Sequence, residues 1–416
     1  MPNNSYLCSD QTIIDMNTDI LNYAFGVSKQ EVVEIVSEGT KTILKIVTPE
    51  EKICCPCCGS HDIVHSGGSL RRFRSVPFGS SPCFLEMYVR RVKCKDCGCV
   101  QQEEVDFAKG KRRHTQFFAN MVIDLSRFAT IEDIAWFLDC SWDLVRNIQM
   151  EFLQKEYGHP DLSDLRYISI DEFAVHKGHV YKTIVVNLHN GHIVYVGDGN
   201  GKDSLDGFWE RLGNNRNNIQ AVCTDMSKAF VNSVVRQLPK ASLVVDHFHI
   251  VKLMNEKIDK LRRQLVHEEK DVNRRKVIKH TRWLLLKNGR DIFDDKFRTR
   301  LENALNLNEP LMKAYYLKED LYEIWNQITK NEAERVLDLW IEQALDAKLQ
   351  PLTEMATTMK AYKPFILAWY DYTISNGKIE GTNNKIKVLK RQAYGYRNDE
   401  FFKLKLYALH DKRVRI

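Results

Sequence analysis

Between residues 165 and 250 the sequence changes character. Three short β-branched runs, Tyr167–Asp171, Val180–Leu188 and His192–Val196, follow one another with no helix between them. A helical segment at Ser204–Leu212 comes next, then a strand at Gln220–Asp225, a helix at Lys228–Gln237 and a strand at Ser242–Asp246. Three consecutive strands followed by helix–strand–helix–strand predict a mixed α/β sheet with helices packed on it.

Two of these runs end in an aspartate, Ile168-Ser169-Ile170-Asp171 and Ala221-Val222-Cys223-Thr224-Asp225. A carboxylate at the end of a strand is badly placed for a core and well placed for a metal. Either aspartate alone reads as a cap or turn residue. Together they fit an RNase H-like sheet, whose first and fourth strands are neighbours and bring such carboxylates together. Carboxylates so close repel and take up protons unless a divalent cation relieves them. Magnesium prefers hard oxygen ligands of this kind.

A third acid, Glu380, lies in Asn376-Gly377-Lys378-Ile379-Glu380-Gly381-Thr382-Asn383-Asn384, which reads as a helix. Asp171, Asp225 and Glu380 can therefore hold two Mg²⁺ ions, with Mn²⁺ able to substitute, for phosphodiester chemistry. Asn384 shares the face of Glu380, and Lys385, Lys387, Lys390 and Arg391 are placed for phosphates. Asp246 also ends a strand, ahead of His247 and His249. Asp246 and His249 are read as site-proximal: a supporting partner, a further metal ligand, or a structural network. Glu172 points to the other side of its strand and is the weaker candidate.

Most of the 11 cysteines fall in two close clusters. Cys55-Pro56-Cys57-Cys58-Gly59 and Cys94-Lys95-Asp96-Cys97-Gly98 each offer a Cys-x-x-Cys pair. Four thiolates, Cys55, Cys58, Cys94 and Cys97, can bind a structural Zn²⁺ tetrahedrally. The clustering points to metal rather than disulfides. The register stays open, because Cys54-x-x-Cys57 overlaps the first pair and Cys99 trails the second. Phe84 to Lys93 alternates as a strand leading into the second knuckle. A basic ridge of Arg71, Arg72, Arg74, Arg90, Arg91 and Lys93 is either a DNA contact or a solvated charged face.

Residues 130–148 have a helix-turn-helix layout. Thr130 caps a first helix with Glu132 and Asp133 in its first turn, and Ser141 caps a second. Ile134, Ala135 and Leu138 face inward, as do Leu144, Val145 and Ile148. The second helix presents Trp142, Asp143, Arg146 and Asn147 outward, where a recognition helix reads the major groove. The basic run with Arg112 and Arg113 stands just ahead of it. An ordinary helical hairpin is the alternative.

The remaining 250–370 stretch is helical, with basic positions from Lys252 to Arg282 offset by acids. The Leu-rich part at 333–349 reads as core packing rather than a dimer zipper. A formal net charge of +6 permits a polyanionic partner without demonstrating one. Apolar runs are too short to span a bilayer, and the first residues lack signal-peptide order, so a cytoplasmic protein is expected. Gly197-Asp198-Gly199-Asn200-Gly201-Lys202-Asp203 imitates a phosphate loop, but its glycines are one residue too close and Asp203 stands where Ser or Thr belongs.

The chain resembles bacterial insertion-sequence DDE transposases of the ISL3 group. The strings that carry the likeness are Cys55–Gly59, Asp171 through His179, Thr224-Asp225-Met226, Asp246–His249, Asn376–Gly381 and Ala393-Tyr394-Gly395-Tyr396, all in family order. The resemblance implies a zinc ribbon, a helix-turn-helix and an RNase H-like catalytic domain interrupted by an all-α insertion. It places the acidic triad on Asp171, Asp225 and Glu380. Asn187 departs from the usual aspartate at a position outside the triad.

The expected domains are a lead-in at 1–50, zinc ribbon at 51–108, helix-turn-helix at 109–158, catalytic domain at 165–250, insertion at 251–370 and a catalytic C-terminal part at 371–416. The expected partners are terminal inverted repeats and target DNA, with no membrane, in a homodimer or larger assembly. The competing readings are a DNA-binding regulator, a decayed transposase that binds without cutting, and a nuclease that never joins.

Overall fold

The computed structural model describes residues 16–176, 180–375 and 377–411. Lys177–His179 and Asn376, which belong to the family-like strings, lie outside the described residues, as do residues 1–15 of the lead-in. The chain forms two compact units, one of Met1–Gly158 with Gln392–Ile416, the other of His159–Arg391.

The first unit begins with α1 (Met16–Phe25) and a five-stranded sheet. Its strands are β1 (Glu31–Glu38), β2 (Lys41–Val47), β3 (Ile63–Phe78), β4 (Ser81–Cys94) and β5 (Val100–Gln102), in the order β1-β2-β4-β3 with β5 on β4. The long β3–β4 hairpin is antiparallel, while β2 runs parallel to β4 from Thr42↔Cys83. The lead-in hairpin and the cysteine region thus share one sheet and one core of Leu44, Ile46, Phe73, Leu85 and Val89. That core supplies the apolar burial a short ribbon lacks.

Three helices follow: α2 (Gln116–Leu125), α3 (Ile131–Phe137) and α4 (Trp142–Tyr157). Thr115, Thr130 and Ser141 cap them, each accepting a backbone N–H. Thr130 forms a complete capping box with Asp133. Phe118, Val122, Ile134, Leu138, Val145 and Ile148 make their common core. Leu144, expected in that core, is only half-buried. The turn between α3 and α4 places Asp139 at φ 45°, a conformation aspartate tolerates better than most residues.

The second unit carries a mixed sheet of β6 (Tyr167–His176), β7 (Val180–Asn187), β8 (Ile193–Asp198), β9 (Ala221–Thr224) and β10 (Ser242–Val245). Its order is β10-β9-β6-β7-β8, with β6–β7 and β7–β8 antiparallel and β6–β9 and β9–β10 parallel. α5 (Asp206–Leu212) and α6 (Lys228–Gln237) connect the later strands and bury Phe208, Trp209, Phe230 and Val234 against Ile168, Ile170 and Val222.

The helical insertion comprises α7 (His247–Glu268), α8 (Val272–His280), α9 (Arg282–Leu286), α10 (Asp295–Leu307), α11 (Glu309–Leu321), α12 (Lys330–Asp346) and α13 (Gln350–Leu367). Leu337 and Trp340 of α12 are buried in its core with Met254, Ile258 and Met355, as core packing requires. Part of its charge is paired internally: Lys257 and Lys260 meet Glu354, and Asp259 gathers Arg262, Arg263 and Arg282.

A short α14 (Trp369–Tyr372) leads to α15 (Gly377–Gln392), which bears Glu380. The last helix, α16 (Asp399–Tyr407), belongs to the first unit, where Phe401 and Leu404 pack on Leu153 of α4. The expected final segment, 371–416, therefore divides at Gln392.

Candidate functional site: a carboxylate row and a cysteine cluster

The geometry of the carboxylates follows from sheet register. Ile170 pairs with Thr224, and Thr224 pairs with Val245. The next residue on each of these three parallel strands is an aspartate: Asp171, Asp225 and Asp246. Neighbouring strands lie about 4.8 Å apart, so three acids leave the sheet one step beyond a single rung.

Asp171 is not at a strand end, as the sequence led one to expect. β6 continues to His176 because its antiparallel partner β7 keeps pairing, while the parallel ladder to β9 stops at Ile170. Asp171 thus ends a ladder rather than a strand.

Asp171 is buried, with 9% of its surface exposed. Burial pushes its carboxyl above the usual range and the charge of Asp225 adds to this. The backbone N–H of Glu172, His249 and Asn383 pull the other way. Glu172 donates its N–H to Asp171 Oδ1 at 2.8 Å, and Asn383 donates Nδ2–H to Asp171 Oδ2 at 2.8 Å. Asp225 accepts the N–H of Ser227 at 2.9 Å, which fixes the turn into α6. Glu172, set aside on strand alternation, is half-buried. Its carboxyl is raised by burial and then by the charges of Asp225 and Asp171, while Asn200 and Lys252 lower it.

Asp246 takes a structural part. It caps α7 by accepting the N–H of Phe248, and its Oδ1 lies 3.3 Å from His247 Nδ1. His249 acts on Asp171 through its charge.

α15 is tied to this sheet along one side. Besides Asn383, Lys378 donates to Leu188 O at 2.5 Å and Lys390 to Ala174 O at 2.6 Å. Burial lowers the Lys390 ammonium's pKa, and its bond to the carbonyl anchors α15 to β6. Glu380 precedes Asn383 by three residues, about 4.5 Å along the axis and on a neighbouring line of the helix. Glu380, Asn384, Lys387 and Arg391 are exposed at a helical spacing that puts them on one stripe. Lys385 is exposed as well.

The three triad carboxylates do not close into a tight cluster. Among the described residues, groups of three or more metal-type donors lying within 4.8 Å of one another occur only at cysteines. Uncompensated carboxylates repel, so a wider spacing is the expected resting arrangement. The donors nonetheless suit a hard cation. They are oxygens, Asp171 and its neighbour Glu172 are pushed toward protonation, and the buried Oδ1 of Asn383 beside Asp171 has no hydrogen-bond partner.

The cysteines form one group of four. The sulfurs of Cys55, Cys58, Cys94 and Cys97 lie within 4.8 Å of one another, with Cys55–Cys97 and Cys58–Cys94 each at 3.6 Å. Gly59 at φ 76° and Gly98 at φ 69° turn each knuckle, a left-handed geometry that glycine adopts freely. The amide N–H groups of the first knuckle favour the Cys55 thiolate: Cys58 contributes most, and the thiol is lowered to about 7. This donor set fits one tetrahedral zinc ion. Cys57 and Cys99, outside the set, are joined as a disulfide, which corrects the expectation of metal without disulfides for that pair.

The basic candidates of the first unit divide. Arg113 and Asn147 are exposed, whereas Arg112 pairs with Glu151. Arg146 lies over the Trp142 ring and donates to Asn147 Oδ1. Much of the expected basic ridge is structural. Arg74 is buried and donates to the Leu138 carbonyl, Arg71 donates to Arg112 O, and Arg72 pairs with Glu38 and Glu86. Arg91 and Lys93 remain exposed.

Two family models match the chain. Residues 168–406 match the family model of ISL3-type DDE transposases, described as a transposase. Residues 51–97 match the zinc finger of the IS204/IS1001/IS1096/IS1165 transposases. The chain belongs to the ISL3 group of transposases. It is 32% identical over 395 residues to the transposase for insertion sequence element IS1001 of Bordetella parapertussis, covering 94% of this chain and 96% of that one. It is 27% identical over 418 residues to the transposase for IS1557 of Mycobacterium tuberculosis, covering 92% and 93%. The matched zinc finger spans both knuckles, and the matched transposase region runs from β6 into α16.

Sequence reasoning missed Asn383, favouring its neighbour Asn384. Both asparagines stand in the same string, and only the packing of α15 on β6 separates them. No helix among the described residues is long and apolar enough to cross a membrane.

Proposed function

We propose that this ISL3-group transposase binds the terminal inverted repeats of its element, cleaves at the element end and joins the freed 3′-OH to target DNA. The observation that carries the reading is the shared rung Ile170–Thr224–Val245, from which Asp171 and Asp225 emerge side by side. The strand order and the parallel β6–β9–β10 set support an RNase H-like catalytic core.

Asp171, Asp225 and Glu380 would hold two Mg²⁺ ions, and Mn²⁺ would substitute. Bound there, such ions make water a stronger nucleophile and stabilise the departing oxygen. The protein's own residues do the rest. Asn383 fixes one oxygen of Asp171 and leaves its own Oδ1 available, which orients the acid and adds a neutral donor. Lys378 and Lys390 pin α15 to the sheet, so Glu380 is presented from a fixed helix. Asn384, Lys385, Lys387 and Arg391 hold phosphates along that helix. His249 favours the ionised form of Asp171.

α3 and α4 form a helix-turn-helix whose exposed Asn147, with Arg146, faces base edges while Arg113 grips the backbone. The zinc ribbon is structural. Pairing two element ends calls for a dimer or larger assembly on DNA.

The test uses a labelled terminal-repeat duplex and a plasmid target. The proposal expects nicked ends and covalently joined product with Mg²⁺ or Mn²⁺ and none with chelator. Cleavage without joining, using authentic ends, would support the nuclease reading. Binding without either reaction would support the regulator or decayed reading.

A further inference from the structure

Beyond its four zinc ligands the ribbon carries Cys54, Cys57, Cys83 and Cys99, and of these Cys57 and Cys99 are paired with each other. Cys57 stands one residue before the ligand Cys58, and Cys99 two residues after the ligand Cys97. Four sulfurs complete a tetrahedral structural site, so the leftover pair has no place in it. The two leftover residues come from opposite knuckles, 42 positions apart, yet their Cα atoms are 6.6 Å apart and their sulfurs are bonded. That Cα separation lies within the range a disulfide spans. Cys57 is exposed, so a soluble reagent can reach it. The pair also touches the metal site: the sulfurs of Cys55, Cys57 and Cys99 lie within 4.8 Å of one another.

We propose that Cys57 and Cys99 form a reversible thiol–disulfide site, a covalent staple between the two zinc knuckles that slows zinc loss when oxidised. The co-reactant is a small-molecule disulfide. The Cys57 thiolate attacks one sulfur of oxidised glutathione and expels one glutathione thiolate. The Cys99 thiolate then attacks Cys57 sulfur in the mixed disulfide and expels the second. Two protein thiols are oxidised by two electrons, one glutathione disulfide is reduced to two glutathiones, and the protons balance. The staple holds both knuckles together when a zinc–sulfur bond opens transiently, so the open site recloses before the ion escapes. Once zinc has left, Cys55 is free to exchange with the adjacent disulfide. The oxidised state therefore stays defined only while zinc is bound.

The experiment uses full-length, zinc-loaded protein in glutathione buffers of graded ratio, followed by alkylation, tryptic mass spectrometry and zinc assay. The expected result is a Cys57–Cys99 link that appears in oxidising buffer and vanishes in reducing buffer, with one zinc per chain throughout. Cys57→Ser, Cys99→Ser and the double serine variant lose the link and keep the zinc. Oxidised wild type hands zinc to a chromogenic chelator at least about fivefold more slowly than reduced wild type. The double variant is fast in both buffers. The proposal is overturned if no link forms, if the link involves other cysteines, if either serine variant loses zinc, or if oxidation leaves zinc release unchanged or faster.

Discussion

Replacing Asp171 by asparagine is expected to make the metal-free protein more stable while ending its response to divalent cations. Two hydrogen bonds and one unpaired oxygen surround this carboxylate. Asp171 Oδ1 accepts the N–H of Glu172, Asp171 Oδ2 accepts from Asn383, and Asn383 Oδ1 is buried without a partner. An asparagine at 171 keeps an oxygen for Glu172 and turns a donor toward residue 383. Rotating the Asn383 amide then presents its orphan oxygen to that donor. Both contacts survive, and the Asn383 amide nitrogen takes the place of the orphan oxygen, so the exchange leaves the number of unpaired atoms unchanged.

The charge that burial and Asp225 oppose is gone. Burial raises the carboxyl of Asp171 in the folded state, so its ionised form is penalised above that raised value. The penalty disappears as pH falls through it. The variant should therefore be the more stable protein at neutral pH in chelator, by about 1.36 kcal/mol for each tenfold change in protonation that burial imposes on the carboxyl. For a unit of this size that is a rise of roughly 2–4 °C per kcal/mol. The gap should close on acidification, where wild type becomes protonated. Magnesium works against that order at neutral pH: at ten times its dissociation constant it adds about 1.4 kcal/mol to wild type and nothing to the variant. The assay is calorimetry of both proteins, with chelator and with Mg²⁺, from acid to neutral pH. A variant less stable than wild type in neutral chelator, or equally stabilised by Mg²⁺, would refute the reasoning.

Other outcomes follow from the same structure. Lys405 is buried on α16 and burial lowers its pKa to about 8, so its charge is a burden below that pH. Stability of the first unit should rise with pH from about 8 toward 10.5, by as much as ~3 kcal/mol, and the rise should be absent in Lys405→Met. Cys94→Ser should remove zinc and unfold the ribbon, seen as zinc content near zero and loss of the lowest melting transition. Arg113→Ala should weaken binding to all duplexes and lower the salt slope by about one. Asn147→Ala should cost about 1–3 kcal/mol on the authentic repeat and little on random DNA.

The sheet and its acids were legible because β-branched runs and turns mark strands by local chemistry. Asp171 and Asp225 stood out for a related reason: each breaks an apolar run. What sequence could not give was pairing. Nothing in Tyr167–His176 says that β6 outlasts its parallel partner but not its antiparallel one, so Asp171 looked like a strand end. Asn383 and Asn384 are indistinguishable until a helix is seated on a sheet. The arginines of the ribbon read as either a DNA-facing ridge or a solvated charged face. Only the sheet's contact with the helices after it turns Arg74 inward to the Leu138 carbonyl. The zinc register was ambiguous for the same reason, since overlapping Cys-x-x-Cys pairs differ only in which sulfurs meet across the hairpin. The return of α16 to the first unit is a long-range packing of Phe401 and Leu404 on Leu153, which leaves no local trace.

The central claim is that Asp171, Asp225 and Glu380 act together on DNA. Glu380 is exposed, so Glu380→Gln leaves the fold and the DNA-binding surfaces intact. The decisive measurement compares this variant with wild type on a labelled terminal-repeat duplex with target plasmid and Mg²⁺, scoring binding, cleavage and joining in one reaction. The account predicts equal binding, with cleavage and joining in wild type and neither in the variant. Equal cleavage and joining by the two proteins would contradict it.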